Sequence, residues 1–347
     1  MTSGKENLAD ESPILLVPYV WIGDFVRCHS VVQLIKSRTP DRPIDVLSSK
    51  LCAPLLDYMP GVRKGVVFDI PRRQLALGIN MQIAKRLRTE HYGKAIITSR
   101  KWKAALAPAL AGIPERVGFV GEWRYGLLND VRYGEKELPR MIDQCAVLAL
   151  PKSEQRQQDW PLPELVVPER EIAEWRARNG LTDEKRRVVA LCPGAVGPGK
   201  RWPEENYAGL ARRLAGEGIA VWVLGGPGEK DIARVITGEG KFARDLTGDD
   251  LRNAIVALAA ADAAVSNDSG LLHVVAAIGT PAVGLFGPTS AWHWAPLNPI
   301  AATIEAPWRD EAKDVRKRTT EDIPVDRVFE ATLQALVGSK KRAAHGA

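Results

Sequence analysis

Four short loops carry the residues of this 347-residue chain that are best suited to act on an anionic ligand. Each loop follows an apolar run typical of a buried strand and precedes a helical pattern. In parallel α/β sheets, ligands bind beside the carboxyl ends of the strands, which is where such loops lie. The four loops are therefore the first candidates for a binding or catalytic site.

The first loop, residues 19–24, has the sequence YVWIGD and contains a single carboxylate, Asp24. Gly23 allows a tight turn of the backbone, which would leave Asp24 at the end of the strand. The simplest role for Asp24 is to cap the next helix by accepting hydrogen bonds from free N–H groups of the first turn. Taken alone, this loop favours the capping role over a catalytic one.

The second loop, residues 192–203, has the sequence CPGAVGPGKRWP. Residues 194–200 match the first seven positions of the GxxxxGK[ST] phosphate-binding motif, but Arg201 replaces the hydroxyl residue that binds magnesium. Because Pro203 disfavours a helix that begins around the lysine, a P-loop NTPase is excluded. A glycine-rich loop that brings Lys200 and Arg201 to a helix start still suits a diphosphate. The alternative is a surface turn with solvated charges.

The third loop, residues 224–229, has the sequence LGGPGE and also follows a strand pattern. It lacks the GxGxxG spacing of dinucleotide-binding loops, which argues against a nicotinamide-dependent enzyme. Two roles for Glu229 remain open. Its carboxylate is suited to accept hydrogen bonds from a ribose, and equally to stabilise the start of the next helix.

The fourth loop, residues 266–273, has the sequence SNDSGLLH. Asp268, Ser269 and Gly270 predict a tight turn with exposed backbone N–H groups, and His273 falls in the first turn of an apolar helix. The imidazole and the helix N-terminus could together face a phosphate. The alternative is a core histidine beside an Asp/Ser cap. The second loop, an anion-type loop in the same half of the chain, favours the functional role.

Strand-like and helical patterns alternate along the chain, which predicts layers of parallel α/β structure. Strands are predicted at residues 14–18, 44–47, 65–68, 95–98, 188–192, 219–224, 263–266 and 281–286. Helices are predicted at residues 25–36, 53–59, 79–90, 203–217 and 271–278. The two halves of the chain have similar architectures by this pattern.

A polar, proline-rich stretch at residues 151–187 separates the two series of elements. The predicted organisation is an N-terminal domain at 1–165, a linker at 166–187 and a C-terminal domain at 188–347. Both are expected to be doubly wound α/β domains that face each other across a cleft. The last helix could pack back on the N-terminal domain.

The charge of the chain is unevenly distributed. Its 48 Lys and Arg residues exceed its 42 Asp and Glu residues, which gives a net charge of +6. Residues 1–160 hold 24 basic and 17 acidic residues, whereas residues 161–347 hold 24 and 25. Residues 61–103 alone hold 11 basic residues and two acidic ones. This excess predicts that the first half meets an anion, and a solvated helix face is the alternative.

Composition narrows the class of protein further. A chain that is 45% hydrophobic and 26% charged forms packed cores and is not intrinsically disordered. Its four cysteines form no CxxC pair, which favours a reducing cytosol over a disulfide framework or a structural zinc site. There is no DxD motif, no signal peptide pattern and no long apolar run. No aromatic-rich motif accompanies the basic residues, so nucleic acid is disfavoured as a partner.

Taken together, the loops resemble those of the ADP-heptose:lipopolysaccharide heptosyltransferases, and within that family the type II members. The resemblance rests on five stretches: PYVWIGD at 18–24, AGIPERVGF at 111–119, GEWRYGLLNDVR at 121–132, CPGAVGPGKRWP at 192–203 and SNDSGLLHVVAA at 266–277. It implies a GT-B fold, which consists of two Rossmann-like domains. It also implies an inverting, metal-independent transfer of L-glycero-D-manno-heptose from ADP to the first heptose of the lipopolysaccharide inner core, with no cofactor.

The resemblance also assigns roles to residues. Asp24 matches the family's general base, which takes the proton of the acceptor hydroxyl. The residues expected to bind the ADP-heptose donor are Gly194, Ala195, Lys200, Glu229, Asp268, Ser269, Gly270 and His273. The residues expected to bind the anionic acceptor are Arg72, Arg73, Arg100, Lys101, Lys103 and Arg124. The expected location is cytoplasmic, peripheral at the inner face of the cytoplasmic membrane.

Two segments depart from the family pattern, the aromatic stretch at 290–296 and the charged stretch at 307–320. Within the class, the alternatives are a heptosyltransferase of type I or III or another nucleotide-sugar transferase. Outside it, a GT-B-shaped sugar-nucleotide epimerase would use the same nucleotide loops but would have no use for a basic N-terminal face. A nucleotide-binding protein without catalytic activity is the third alternative, and Asp24 argues against it.

Overall fold

The computed structural model describes residues 12–69, 77–156, 158–248, 250–298 and 301–343. The chain divides into two compact units, Met1–Pro163 and Glu164–Ala347. Within the described residues, each unit is built on one parallel sheet of six strands. The prediction of two doubly wound α/β units is confirmed.

The first sheet has the strand order β3-β2-β1-β4-β5-β6, which is the order of a dinucleotide-binding fold. Its strands are β1 (Ile14–Val17), β2 (Ile44–Ser49), β3 (Lys64–Phe68), β4 (Lys94–Ile97), β5 (Glu115–Phe119) and β6 (Asp130–Arg132). β1 lies in the centre, where Leu15 pairs with both Asp45 and Ala95. All four residues of β1 are buried, as expected of a parallel strand that is covered on both faces.

Helices connect the strands of the first unit. They are α1 (Ile22–Arg27), α2 (His29–Arg38), α3 (Ala53–Leu56), α4 (Leu77–Arg88), α5 (Trp102–Ala111) and α6 (Met141–Ala146). The helix predicted at 25–36 is in fact two helices that meet at Cys28. α5 contains Pro108 and ends at Gly112, whose positive φ of 76° suits a glycine at a helix C-terminus.

The second sheet has the strand order β12-β11-β10-β7-β8-β9. Its strands are β7 (Val188–Cys192), β8 (Ala220–Val223), β9 (Arg244–Asp245), β10 (Ala263–Asn267), β11 (Ala282–Phe286) and β12 (Ala301–Glu305). Counted along its own unit, the first strand again lies in the centre, between the second and fourth strands. The two sheets therefore share one topology.

The helices of the second unit are α7 (Glu169–Arg178), α8 (Glu204–Gly216), α9 (Lys230–Thr237), α10 (Leu251–Ala260), α11 (Gly270–Ile278), α12 (Ala291–Trp294) and α13 (Val325–Ala343). The segment 166–187, which the sequence predicted as a linker, contains α7. α7 packs on α10, and the Nε1 of Trp175 donates a hydrogen bond to the Asn253 side chain. The last helix, α13, packs within the second unit against α8, β10, β11 and β12.

Aromatic residues fill the core of the second unit. Trp175 and Trp222 are buried with ring centroids 5.3 Å apart, and Trp202 meets Tyr207 edge to face at 4.9 Å. Such pairs stabilise a core beyond the area that they bury. Because Trp202 and Tyr207 flank the start of α8, this packing fixes the end of the loop at 193–203.

All four cysteines are buried and free of disulfides. Cys28, Cys52 and Cys145 belong to the first unit and Cys192 to the second. Burial raises the pKa of the Cys192 thiol to about 12, because the thiolate is disfavoured away from water. No helix in the described part of the chain has both the length and the apolar character that crossing a membrane requires.

Candidate functional site

The strand orders place the candidate loops at the points where the direction of winding reverses. In the first sheet this point lies between β1 and β4, and in the second it lies between β7 and β10. Crevices at such points are where doubly wound folds bind ligands. The loop with Asp24 follows β1, the loop with Lys200 follows β7 and the loop with Asp268 follows β10. Three of the four candidate loops therefore lie at a switch point.

Asn267 ties the two switch-point loops of the second unit together. Its side-chain oxygen accepts a hydrogen bond from the backbone N–H of Trp202 at 3.1 Å, and its Nδ2 donates to the carbonyl of Pro193 at 2.7 Å. Asn267 is fully buried, so both bonds form away from water. A buried amide with its partners satisfied holds the backbone around it in one geometry. The loop at 193–203 is therefore pinned at both ends.

Lys200 and Asp268 form an ion pair at the centre of this site. Their Nζ and Oδ2 atoms are 2.7 Å apart, and the same Oδ2 accepts a hydrogen bond from the hydroxyl of Thr289 at 2.8 Å. The Asp268 side chain is 8% exposed and that of Lys200 is 23% exposed. The carboxylate thus holds a partly accessible ammonium group where β7 and β10 end. The two loops therefore meet at this ion pair, and Thr289, which the sequence did not single out, joins them.

The glycines of the second loop shape the approach to Lys200. Gly197 and Gly199 have φ values of 118° and 69°, a region that other residues rarely adopt. The carbonyl of Gly199 accepts a hydrogen bond from the Thr320 backbone N–H at 3.0 Å. A side chain at Gly287 would lie 2.5 Å from that same carbonyl oxygen, so Gly287 is needed for this close approach. The loop is thus held at Gly199 and at both ends, while its middle, around Val196, is exposed.

Arg318 supports the turn at residues 287–289, which packs against Gly199 of the second loop. Its guanidinium is 3% exposed and donates hydrogen bonds to the carbonyls of Gly287 at 3.0 Å and Thr289 at 2.8 Å. It also pairs with Glu305 at 2.6 Å and lies 4.5 Å from the ring centre of Trp308. The segment at 307–320, which departs from the family pattern, therefore braces the site. In the sequence Arg318 stands in a run of charges, and nothing distinguishes it from a solvated residue there.

The fourth loop starts helix α11. Ser269 occupies the N-cap position without a side-chain cap, and its hydroxyl lies 3.1 Å from the Ser266 hydroxyl. The N–H groups of the first turn, which begins at Gly270, are therefore not capped by that side chain. His273 is buried at 4% exposure on the same helix. A nine-residue helix with its N-terminus beside Lys200 is suited to bind an anion.

Glu229 lies against the glycines of two loops. Its Oε2 accepts a hydrogen bond from the Gly226 N–H at 2.8 Å, as in a helix capping box. A side chain at Gly194 would meet the Glu229 carboxyl carbon at 3.1 Å, so the second and third loops touch here. The Nε of Arg201 donates to the carbonyl of Ala195 at 2.8 Å, which turns the guanidinium back along its own loop. Both roles considered for Glu229 are compatible with this position.

In the first unit, Asp24 is the third residue of α1 and Trp21 is the N-cap. Asp24 therefore does not occupy the capping position that its loop alone suggested. Its carboxylate pairs instead with the guanidinium of Arg27, one turn further along the helix. The Asp24 side chain is 20% exposed, whereas that of Arg27 is 7% exposed. A buried arginine thus fixes the orientation of a carboxylate that solvent can reach.

A buried polar cluster lies next to this pair. The Sγ of Cys28 is 3.6 Å from the Thr98 hydroxyl and 3.9 Å from the Sγ of Cys145. Burial raises the pKa of the nearby Tyr19, with smaller contributions from the two thiols and from Asp24. Tyr19 therefore stays a neutral phenol. The Asp24 carboxylate, by contrast, is partly accessible to solvent at this end of β1.

The basic segment 61–103 does not form one surface. Arg63 and Lys64 lie at the amino end of β3, where they pair with Asp45 at 2.6 Å and Glu90 at 2.5 Å. Arg100 and Lys101 follow β4 and lie at the opposite, carboxyl edge, where Asp24 is found. The cations of this segment therefore lie at two different edges of the sheet, because a parallel strand separates its two ends.

The cations at the carboxyl edge are themselves paired. Arg100 contacts Glu135 at 3.0 Å, and Lys101 contacts Glu122 at 2.5 Å. Their side chains are nevertheless 51% and 64% exposed, so both remain reachable. Lys103 is half-buried in the first turn of α5. Arg72 and Arg73, two of the expected acceptor-binding residues, lie outside the described residues.

Arg124 has a different environment from the other expected acceptor residues. It is 2% exposed, and its guanidinium donates hydrogen bonds to the carbonyls of Phe119 and Ser99. Burial lowers the pKa of Arg124 to about 10. This geometry corrects the expectation that Arg124 contacts an acceptor. It joins the loops after β4 and β5, and it has no surface to offer a ligand.

The aromatic stretch at 290–296 forms the short helix α12. The rings of His293 and Trp294 pack edge to face, with their centroids 4.8 Å apart. Trp292 is 64% exposed on the same turn. Across the described ranges 12–69, 77–156, 158–248, 250–298 and 301–343, no group of three or more His, Cys, Asp or Glu side chains is arranged to hold a metal ion.

Comparisons with known proteins agree with this geometry. Residues 80–323 match glycosyltransferase family 9 (heptosyltransferase). The chain is 36% identical over 304 residues to lipopolysaccharide heptosyltransferase 2 of Escherichia coli strain K12, a match that covers 84% of this chain and 87% of that protein. It is 36% identical over 345 residues to lipooligosaccharide heptosyltransferase 2 of Haemophilus ducreyi, which covers 93% and 99%.

A solved structure gives the same result for the fold. The structure of E. coli ADP-heptose lipopolysaccharide heptosyltransferase II superposes with a TM-score of 0.84 at 34% identity. The match covers 94% of this chain and 99% of that one. The similarity therefore extends over both six-stranded sheets.

Proposed function

Because the chain belongs to glycosyltransferase family 9, the heptosyltransferases, we propose that it transfers L-glycero-D-manno-heptose from ADP-heptose to the first heptose of the lipopolysaccharide inner core. It is a glycosyltransferase, and the relatives at 36% identity are heptosyltransferases of type 2. The donor and the acceptor are the parts of this proposal that an assay of the chain itself must test.

One observation carries the donor side of the proposal. Lys200, held by Asp268, lies where β7 and β10 end, beside the N-terminus of α11. A lysine ammonium and the free N–H groups of a helix together favour a diphosphate over a neutral ligand. The buried Asn267 keeps the two loops in register, so this site exists before the donor arrives. The Asp268 carboxylate and the diphosphate would then share the Lys200 ammonium.

Asp24 supplies the acid–base chemistry. Its carboxylate takes the proton of the acceptor hydroxyl as that oxygen forms a bond to the anomeric carbon of the heptose. The bond from that carbon to the outer phosphate oxygen of ADP breaks, and its electron pair leaves with ADP. Attack from the face opposite ADP inverts the configuration of the anomeric carbon. Arg27 holds the carboxylate in one orientation throughout.

The charge that develops on the leaving ADP falls beside Lys200, His273 and the start of α11. A lysine ammonium, a histidine N–H and the N–H groups at a helix start are hydrogen-bond donors that stabilise a leaving diphosphate as it forms. We therefore propose that these groups, and no divalent cation, provide the electrostatic stabilisation. The residues Gly194, Ala195 and Glu229 line the same group of loops, and we assign them to the nucleoside end of the donor.

The acceptor side rests on the cations that share an edge with Asp24. Arg100 and Lys101 follow β4, the strand next to β1, and both side chains are more than half exposed. Guanidinium and ammonium groups in such positions bind the phosphates and carboxylates of an anionic glycolipid. We accordingly propose a cytoplasmic protein that meets its acceptor at the inner face of the cytoplasmic membrane.

The decisive experiment is an assay of the purified protein with ADP-heptose and two acceptors, one that carries the first heptose and one that lacks it. We expect transfer only to the acceptor that carries the heptose. Transfer only to the heptose-free acceptor would assign the type I reaction instead. Conversion of ADP-heptose to an epimer, without any acceptor, would indicate an epimerase. An assay with excess EDTA tests the metal independence, and we expect an unchanged rate.

A further inference from the structure

The first unit carries two aromatic side chains that project from a rigid turn. The segment 121–126, here called the aromatic turn, follows β5 and contains Trp123 and Tyr125. The Trp123 side chain is 93% exposed and that of Tyr125 is 61% exposed. Tryptophan is highly buried on average, so almost complete exposure is unusual for it. Neither residue has a part in the transfer reaction proposed above.

The backbone of the aromatic turn is held in a costly conformation. Glu122 and Trp123 have φ values of 34° and 53°, in the left-handed region. Two consecutive non-glycine residues in that region cost about 1–2 kcal/mol each, so the surrounding structure must impose the conformation. Gly121 is part of that constraint, because a side chain there would lie 2.9 Å from the Arg100 carbonyl oxygen.

Two charged residues supply most of the constraint. Arg124 lies between the exposed aromatics, and its buried guanidinium binds the carbonyls of Phe119 and Ser99. The Glu122 carboxylate accepts hydrogen bonds from the Lys101 Nζ at 2.5 Å and from the Trp102 N–H at 3.1 Å. The turn is thus fastened to the loop after β4. Its two aromatic rings are presented outward by a rigid support.

The surroundings of the turn are suited to an anionic, partly apolar surface. Arg100 and Lys101 lie beside it, with side chains that are 51% and 64% exposed. Trp and Tyr rings are favoured at the boundary between a bilayer and water. Each lysine or arginine near an anionic bilayer adds about 1 kcal/mol of attraction. The combination of projecting aromatics and accessible cations is complementary to lipid headgroups.

The exposure of Trp123 argues against a sugar-stacking platform. An aromatic ring that binds a sugar usually has one face supported by the protein, whereas 93% exposure leaves both faces of Trp123 in solvent. We propose that the aromatic turn inserts into the headgroup region of an anionic lipid bilayer, with Trp123 entering first. This inference rests on the proposed function, because a protein that acts on a lipid-anchored acceptor meets that acceptor at the bilayer surface.

This arrangement orients the active edge of the first unit. β1, β4 and β5 are neighbours in a parallel sheet, so the loops that follow them lie side by side at one edge. Asp24 belongs to the first of these loops, Arg100 and Lys101 to the second and the aromatic turn to the third. Insertion of the turn therefore brings the general base and the two cations to the membrane surface together.

Co-sedimentation with vesicles tests the proposal directly. The full-length protein is mixed with vesicles of phosphatidylcholine alone and with vesicles that also contain phosphatidylglycerol. We expect binding to the anionic vesicles, and a decrease of about tenfold in affinity for the Trp123→Ala, Tyr125→Ala double variant. Trp123→Asn is the second variant, because asparagine tolerates the left-handed conformation. Trp292→Ala, at a tryptophan that is 64% exposed in the second unit, is the matched control.

Three outcomes would overturn the proposal. In the first, the double variant binds anionic vesicles as tightly as the wild type does. In the second, the wild type binds neither type of vesicle. In the third, Trp292→Ala weakens vesicle binding as much as the double variant does. A water-soluble acceptor saccharide without lipid provides the remaining test. A higher KM for that acceptor in Trp123→Asn, with unchanged vesicle binding, would assign the turn to sugar binding instead. Vesicle binding needs no turnover, so its loss and a failure of heptose transfer are separate results.

Discussion

The two units share one strand order but differ in how the loops at the carboxyl edge of each sheet are built. In the second unit the polar side chains of the loops bind one another: Asn267 joins two loops, Asp268 holds Lys200, and Arg318 braces the turn beneath them. In the first unit Arg124 and Glu122 fasten a turn to the loop after β4, and Trp123 and Tyr125 of that turn are exposed to solvent.

This difference indicates two kinds of ligand. Loops that are bonded to each other form a small preorganised site, which suits a ligand of fixed shape such as a nucleoside diphosphate. A rigid edge with projecting side chains suits a large ligand that is bound from one side, such as a glycolipid at a membrane. The predictions below test the two kinds of site by changing residues of one unit at a time.

The largest effect is expected at Asp24. Replacing it with asparagine removes the base, so kcat for heptose transfer should fall by about 10²–10⁴-fold. ADP affinity, measured by calorimetry, should stay unchanged because Lys200 and α11 belong to the second unit. Asp69→Asn, at a carboxylate that is 79% exposed after β3, is the matched control and should keep full activity. A normal rate in Asp24→Asn would contradict the assignment of the base.

The next effect is expected at Lys200. Lys200→Ala removes the ammonium group beside α11, and a hydrogen bond to a charged group contributes about 1.5–3 kcal/mol. ADP affinity should therefore decrease by about 10–100-fold in calorimetric titrations. Lys230→Ala removes an exposed lysine at the start of α9 in the same unit and should leave ADP affinity unchanged. Equal titrations for wild type and Lys200→Ala would refute the donor site.

Asn267 tests whether the donor loops are preorganised by a buried network. Asn267→Ala breaks two buried hydrogen bonds and leaves the Trp202 N–H and the Pro193 carbonyl without this partner. At about 1–3 kcal/mol for each of these two groups, the second unit should lose about 2–6 kcal/mol of its free energy of unfolding. Urea denaturation followed by tryptophan fluorescence measures the loss, since Trp175, Trp202 and Trp222 all lie in that unit. Unchanged stability would mean that the loops hold their shape without Asn267.

The smallest effect separates the two ends of the basic segment. Arg100→Ala removes an accessible cation at the edge of Asp24, so KM for an anionic acceptor should rise by about threefold to tenfold. Lys64→Ala removes a cation at the opposite edge, where it pairs with Glu90, and should leave KM unchanged. The difference should shrink at high salt because exposed charges are screened. Equal effects of the two variants on KM would contradict the assignment of the acceptor to the edge that carries Asp24.

Much of the fold could be predicted from the sequence because its central strands are apolar and bounded by turn residues. β7 was predicted with its exact bounds, and β1 and β11 within one residue. β5, β6, β9 and β12 were missed, and β6 and β9 are edge strands of only three and two residues, too short to carry an apolar pattern. α5 was missed as well, because Pro108 within it reads as a helix breaker.

The site was predictable only in part, for a similar reason. Glycines and a lysine between a strand and a helix predict an anion-binding loop, so Lys200 and Asp268 could be singled out from the sequence. Arg318 and Arg124 were not recognised as supports, because burial of an arginine depends on distant carbonyls that the sequence does not place together. Charge counts likewise gave the excess at 61–103 but not its division between two sheet edges.

Because all four cysteines are buried, the reactivity of their thiols can be used to measure local unfolding of each unit. A thiol reagent reaches these side chains only when the surrounding structure unfolds transiently, so the rate of labelling measures how often each unit opens. The first unit carries three thiols and the second carries one, Cys192, so the mass added on labelling tells which unit has opened. ADP should slow the labelling of Cys192 alone. The ratio of its labelling rates without and with ADP then gives the free energy of ADP binding to the second unit.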